Sequence, residues 1–291
     1  MKLLNAILSF TYQPLEFFWK GKKIAKLQSI TLIIIFTCSM GIALINHLNL
    51  FVLPGVLAQV HFLQSIETSF TVLLFFEMLS LVFVIPQSIA NSIGKQIQIL
   101  SLVLLRSSFK EFSHFDFHLP VQDQLQPVYK MISDGVGSSI VFLLLSVYYH
   151  LQQHRPVTAP KDKVQFIILK QYIALIVFIS LFFLAINDLY NFINTGVLVH
   201  SIDQFYMILI FTDLLFMLVA FKYTLHYPDV FRYAAFVLVT VFIRLSLMAP
   251  VYYNALLAIF AVLFAIAVAQ AHNIFTQGRL NYITRKNDFL Q

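Results

Sequence analysis

The chain has few charged residues, one cysteine and eight glycines, and each scarcity excludes a class of protein. Only 11% of its 291 residues are charged and 59% are hydrophobic, whereas an average soluble domain carries about 25% charged residues. The single cysteine, Cys38, allows neither an intramolecular disulfide nor a cysteine-based metal or redox motif. The sequence contains no phosphate-binding glycine loop, dinucleotide fingerprint, nucleophile elbow or zinc-protease helix. We therefore expect no cofactor, and the lack of a catalytic motif favours a protein that is not an enzyme.

Long apolar runs dominate the sequence and predict an all-α, polytopic transmembrane helical bundle. Seven runs are long enough to cross about 30 Å of hydrocarbon. They cover residues 29–48, 66–85, 131–149, 171–190, 205–223, 233–249 and 254–272. We expect seven or eight membrane segments within a transmembrane domain at 29–275, preceded by a cytoplasmic amphipathic segment at 1–28 and followed by a cytoplasmic tail at 276–291.

The lysines and arginines are grouped at the ends of these runs, and their distribution predicts the orientation of the chain. The connections 49–65, 191–204 and 249–254 contain none, so they are expected outside. The basic clusters, and with them both termini, are expected in the cytoplasm, and the composition is typical of a multi-pass protein of a bacterial inner membrane. The formal net charge of +6 is explained by this topology and does not predict nucleic-acid binding.

Two cytoplasmic termini require an even number of crossings, and residues 88–112 decide the count. On a helix, Lys95, Arg106 and Lys110 form one basic stripe beside an apolar face, which favours an interfacial helix in contact with anionic lipid headgroups. In that case the run 131–149 must be re-entrant to keep the count even. A crossing helix is the alternative. Residues 113–130 form a short loop in either case. The segment 94–111, GKQIQILSLVLLRSSFKE, resembles the amphipathic linkers between sensor and pore helices of voltage-gated cation channels. It lacks an arginine at every third position in its second half, and no selectivity filter follows, so the resemblance assigns no family.

Three charged residues lie near the middle of apolar runs: Glu77, Asp213 and Arg244. A charge at that depth costs at least about 2.5 kcal/mol on insertion scales, so each should have a partner inside the protein. We expect the three to meet, with one carboxyl protonated because one arginine cannot neutralise two carboxylates. Asp134 and Asp188 belong to a more external polar group, which could line a vestibule or simply meet water at the ends of the spans.

Two functions fit this pattern. The first is a transporter or channel-like protein for protons or small cations, with Glu77 and Asp213 as exchangeable sites and Arg244 as the charge that tunes them. The second is a structural or assembly subunit of a larger membrane complex, or a homo-oligomer, in which the same charges dock helices. The histidines at 114, 118, 150 and 154 lack a convincing third ligand, so no metal site is expected.

Overall fold

The computed structural model describes residues 12, 14–19, 21–48, 62–84, 89–112, 120, 125–152, 160–195, 202–223 and 227–288. Over this part of the chain the protein is helical and has no strand, which confirms the all-α prediction. The long helices are α1 (Lys22–His47), α2 (Phe62–Val84), α3 (Ile89–Phe112), α4 (Leu125–Leu151), α5 (Pro160–Thr195), α6 (Ile202–Tyr223), α7 (Tyr227–Met248) and α8 (Tyr253–Asp288).

Six of these helices are long and apolar enough to cross a membrane. They are α1, α4 and α7 over their full lengths, and the segments Ile167–Asp188 of α5, Gln204–Lys222 of α6 and Tyr253–Phe275 of α8. The apolar part of α2, Thr68–Val84, is shorter. Large side chains such as Phe183, at 70% exposure, lie on the outer surface of the bundle, where lipid is the compatible solvent. These helices indicate a multi-pass integral membrane protein.

Helix α3 does not lie across the ends of the other helices but runs antiparallel beside α4. Gln152 Nε2 donates to Asn91 Oδ1 at one end, and Ser108 Oγ donates to the Met131 carbonyl at the other, both at 2.8 Å. Residues 91–108 rise about 26 Å along a helix, close to the thickness of the hydrocarbon layer. Helix α3 therefore accompanies α4 over most of its length, and its placement on the membrane surface or across the membrane stays a prediction.

Helix α3 buries polar and apolar residues alike. Ser92, Gln96 and Arg106 are buried together with Ile93, Ile97, Leu100 and Leu104, whereas Leu102, Leu105 and Phe109 are exposed. Lys95 and Lys110 are exposed as well.

Two hydrophobic cores divide the bundle into halves. The first half consists of α3, α4, α7 and α8, whose core contains Leu100, Val141, Val239 and Ala261. The second half consists of α2, α5 and α6, whose core contains Val82, Leu181 and Leu209. Helix α1 packs on α2 and has only Ile24 and Ala43 buried. The protein is therefore two packed groups of helices, with α1 at the edge of the second.

Both terminal segments take up positions that the hydropathy pattern did not specify. Tyr12 and Trp19, in the predicted segment 1–28, pack on Phe83 of α2, with ring centroids 6.1 and 5.6 Å away. Helix α8 continues to Asp288, through most of the predicted tail 276–291. Residues 1–11, 49–61, 113–119, 121–124, 196–201 and 289–291 lie outside the described residues. Most of the predicted external connection 49–65, part of the connection 191–204 and most of the loop at 113–130 therefore fall outside them.

The two longest-range contacts of α4 fix it against α8. Near the start of both helices, Asn254 Nδ2 donates to Asp134 Oδ1 (2.9 Å), and near their other ends Asn273 Nδ2 donates to the Leu151 carbonyl (2.8 Å). The helices are therefore parallel. They approach so closely at Gly137 that a Cβ atom there would lie 2.6 Å from the Cβ of Ala255.

We expect Gly137→Ala to destabilise the protein by about 1 to 3 kcal/mol, because the added methyl group overpacks the contact between α4 and α8. Gly41→Ala is the matched control, since a Cβ at Gly41 would meet nothing within 4 Å. It should be neutral or slightly stabilising, because alanine is the better helix former by about 1 kcal/mol. Unfolding in detergent measures both, and Ala255→Gly should restore the stability of Gly137→Ala. Equal effects of the two alanine variants would contradict the close contact.

Candidate functional site

Polar residues are concentrated where the two halves of the bundle meet, and we call this set the seam. The first half contributes residues of α3 and α7, and the second half contributes residues of α2, α5 and α6. The seam consists of Glu77, Ser92, Gln96, Arg106, Lys170, Tyr206, Asp213, Thr240 and Arg244; all are buried except Glu77, which is mostly buried. Such a set is unusual inside a membrane bundle, where each ionisable side chain is costly and suggests a function.

The first ion pair of the seam joins Glu77 of α2 to Arg106 of α3. Arg106 Nη1 donates to Glu77 Oε2 at 3.0 Å, and the two side chains are 9% and 15% exposed. This is a direct, charge-assisted hydrogen bond, so the glutamate is neutralised across the seam. The structure thus gives Glu77 a partner other than Arg244, and Arg106 serves the interior of the protein rather than a lipid headgroup.

The second ion pair joins Asp213 of α6 to Arg244 of α7, two of the three charges that the sequence predicts to meet. Arg244 Nη2 lies 3.8 Å from Asp213 Oδ2, and the side chains are 1% and 9% exposed. At that distance the pair attracts electrostatically without forming a hydrogen bond. Within the described part of the chain, Asp213 Oδ2 and the Nε and Nη2 atoms of Arg244 have no hydrogen-bond partner. The second pair is therefore looser than the first.

The three charges that the sequence predicts to meet are divided between the two ion pairs. Asp213 and Arg244 form one pair, and Glu77 is paired with Arg106 instead. Tyr206 of α6 is buried in the same part of the bundle, at 2% exposure.

A small cavity lies in the seam beside the looser pair. Its wall includes the polar residues Asp213, Lys170, Gln96, Ser92 and Thr240, and about 30 Å³ is open to the centres of water molecules. Such a space has room for about two waters. Gln96 Oε1 is buried with no hydrogen-bond partner among the described residues. Water in the cavity would satisfy both this amide oxygen and the Asp213 carboxylate.

Lys170 brings a third cation to the seam. It is 3% exposed on α5, and its Nζ lies 5.9 Å from the centre of the Phe216 ring, over its face. That geometry is typical of a cation–π interaction. The ammonium and the Asp213 carboxylate line the same cavity from neighbouring helices, so a small ion entering it would meet charges of both signs.

The remaining predicted residues lie away from the seam. Asp134 is fully buried between α4 and α8, where it accepts the hydrogen bond from Asn254. Asp188 is half-buried towards the C-terminal end of α5, about 27 Å along the helix from Lys170. Lys95 and Lys110 are exposed on α3, and their contact with anionic headgroups stays a prediction.

Sequence reasoning predicted three of the nine residues of the seam. It assigned Arg106 to lipid headgroups, and it missed Ser92, Gln96, Lys170, Tyr206 and Thr240. Arg106 shares a helical stripe with two exposed lysines, and Lys170 stands at the start of an apolar run, next to a basic cluster. Both therefore resembled the basic residues that flank membrane spans and set their orientation. Charge balance could have predicted a further buried cation, because Glu77 and Asp213 together require two cations and Arg244 supplies one.

No family model, curated protein or solved structure matches this chain. The described residues also contain no group of three or more histidine, cysteine, aspartate or glutamate side chains that could hold a metal ion. The function is therefore argued from the geometry of the seam itself.

We expect the two ion pairs to be energetically distinct. Arg106→Gln should destabilise the protein by about 3 to 5 kcal/mol, because it leaves the buried Glu77 carboxylate unpaired. Adding Glu77→Gln should recover most of that loss, whereas adding Asp213→Asn should not. For Arg244→Gln the rescuing change should instead be Asp213→Asn. Detergent-solubilised unfolding of the singles and doubles provides the test, and rescue of Arg244→Gln by Glu77→Gln would show that the pairs are wrongly assigned.

Proposed function

We propose that this protein is a membrane transporter that moves protons or small cations, with Asp213 as the exchangeable carboxylate. The observation that supports this most strongly is the position of Asp213, halfway along α6 and at the wall of a water-sized cavity between two groups of helices. Many secondary transporters bind their coupling ion near the bilayer midplane and expose it alternately by movement of one group of helices against the other.

The unequal ion pairs support the choice of Asp213 over Glu77. The Glu77 carboxylate is already engaged by a guanidinium at 3.0 Å, so an incoming cation would have to displace a direct hydrogen bond. Asp213 Oδ2 has no such bond among the described residues. Arg244 lies close enough to balance the charge of the carboxylate without forming a hydrogen bond to this oxygen. Asp213 and Arg244 attract each other across the seam. A proton or small cation bound at Asp213 would weaken this attraction. Binding would thereby change the force that holds the two halves together.

The size of the cavity limits the cargo. Room for about two waters accommodates a proton carrier or a small, partly dehydrated cation, but not an organic solute. In this proposal Gln96, Ser92 and Thr240 supply neutral oxygen atoms to the site, and Lys170 opposes entry of a second cation.

We further propose eight crossings with both termini in the cytoplasm. If α4 spans the membrane, α3 must span it too, since the two are hydrogen-bonded near both ends. With α3 included, the eight helices alternate in direction and the termini fall on one side. This arrangement keeps the basic clusters inside and resolves the odd count given by hydropathy.

Cysteine labelling tests the topology. In a Cys38→Ser background, Lys110→Cys at the exposed end of α3 should react with an impermeant thiol reagent from outside. The control His150→Cys, exposed near the end of α4, should react only after the membrane is opened. A cytoplasmic interfacial α3 would protect position 110 from external reagent, and that result would rule out the eighth crossing.

Flux measurements in proteoliposomes test the transport proposal. The double variant Asp213→Asn/Arg244→Gln should abolish pH-driven flux, since it removes the exchangeable carboxylate without leaving an unpaired charge. The matched control Glu77→Gln/Arg106→Gln neutralises the other ion pair and should retain flux. Thr212→Val is a milder control, because its hydroxyl bonds only to the Ile208 carbonyl of the same helix (2.7 Å).

Two outcomes would contradict transport through Asp213. One is flux that survives in Asp213→Asn/Arg244→Gln. The other is a folded parent protein with no flux under proton, sodium or potassium gradients, which would favour the assembly-subunit alternative. In that case both ion pairs would serve to dock the two halves of the bundle.

A further inference from the structure

A groove lies on the surface between the start of α7 and the second half of α8. Its wall contains aromatic side chains exposed to the membrane, Tyr227 and Phe231 of α7 and Phe275 of α8, which are 73%, 52% and 64% exposed. Val268 and Ala271 complete its apolar lining, and the groove has a volume of about 110 Å³. The groove is separate from the seam, and no ion pair of the seam contributes to it.

Two nitrogen-bearing side chains, Arg232 and His272, lie in the same wall. Arg232 Nη1 is 3.4 Å from His272 Nδ1, and His272 Nε2 is 3.3 Å from Asp229 Oδ1. Since a guanidinium can only donate, Nδ1 accepts and Nε2 carries the hydrogen that is donated to Asp229. Arg232 Nη2 also lies 3.9 Å from Asp229 Oδ1, so Asp229 pairs with the guanidinium directly and hydrogen-bonds to the imidazole that contacts it. Asp229 does not line the groove, so the groove wall contains a guanidinium and no carboxylate.

The groove lies near the start of α7, one of the helices long and apolar enough to cross a membrane. Arg232 lies about one and a half turns from the start of α7, and the tyrosine at that start, Tyr227, is of the type that favours the headgroup region. The sequence places Lys222 just before α7, and Arg279, Arg285 and Lys286 in the last part of the chain. A positive charge beside an aromatic-lined groove, on the side richest in basic residues, complements an anionic lipid.

We propose that this groove binds one anionic phospholipid, with the phosphate on the Arg232 guanidinium and an acyl chain along Phe231, Val268 and Phe275. Arg232 donates to the phosphate oxygens, and its contacts with Asp229 and His272 hold it in place. The zwitterionic headgroup of phosphatidylcholine would bring its quaternary ammonium near the guanidinium, so an anionic lipid is preferred. This site is independent of the transport proposal and would exist in an assembly subunit as well.

Native mass spectrometry of the detergent-solubilised full chain, titrated with phosphatidylglycerol or phosphatidylcholine, tests the site. Phosphatidylglycerol should give one tightly bound lipid in preference to phosphatidylcholine. Arg232→Gln should weaken that binding about fivefold, the effect of removing one cation near an anionic surface. Ala271→Phe should weaken it by filling the groove while leaving the charge in place. Lys23→Gln, which removes an exposed charge from α1, is the matched control and should bind as the parent does.

The comparison between variants decides the proposal. Equal losses in Arg232→Gln and Lys23→Gln, or undiminished binding in Ala271→Phe, would mean attraction to the whole basic surface and would overturn the site. Equal binding of the two lipids would overturn the anionic preference. If Arg232→Gln does not fold, Arg232→Lys, which should keep most of the binding, and Ala271→Phe, which should lose it, still test the groove.

Discussion

Attraction across the seam is the interaction on which the arrangement of this bundle depends. Lipid gives helices no hydrophobic reason to prefer one neighbour over another, so polar contacts and close packing determine which faces meet. In this protein the carboxylates of α2 and α6 belong to one half, and the guanidiniums of α3 and α7 belong to the other. If either half were buried in lipid without the other, its unpaired charges would carry a large free-energy cost. The polar residues of α3 that are buried along the seam have the same explanation, because the charges there need polar neighbours.

The two ion pairs differ in geometry. Glu77 and Arg106 form a direct hydrogen bond at 3.0 Å that joins α2 to α3, although Arg106 Nη2 is buried with no hydrogen-bond partner among the described residues. The Asp213–Arg244 pair is wider, at 3.8 Å, and its carboxylate lies beside a cavity with room for water.

The sequence predicted the class of the protein well, because hydropathy follows directly from the solvent around each helix. It also identified Glu77, Asp213 and Arg244 as buried charges that need partners, since mid-span charges must be neutralised, but it did not show which carboxylate pairs with Arg244. It did not identify the partner of Glu77, because Arg106 lies on the same helical stripe as Lys95 and Lys110. Hydropathy cannot show that Arg106 is buried while the two lysines are exposed.

The order of the helices along the chain has a consequence for synthesis of the protein. The half that contains α3 and α4 is completed only by α7 and α8, and α2, α5 and α6 of the other half come before and between these pairs. A ribosome therefore delivers Asp213 to the membrane before Arg244 exists, and Asp134 long before Asn254. Until the last hairpin arrives, Asp213 and Asp134 lack these partners, so each must hold a proton, stay hydrated or lie near another cation such as Lys170 to avoid the cost of a bare buried charge. The final two helices thus complete the second ion pair, whereas Glu77 and Arg106 can already pair once α3 is inserted.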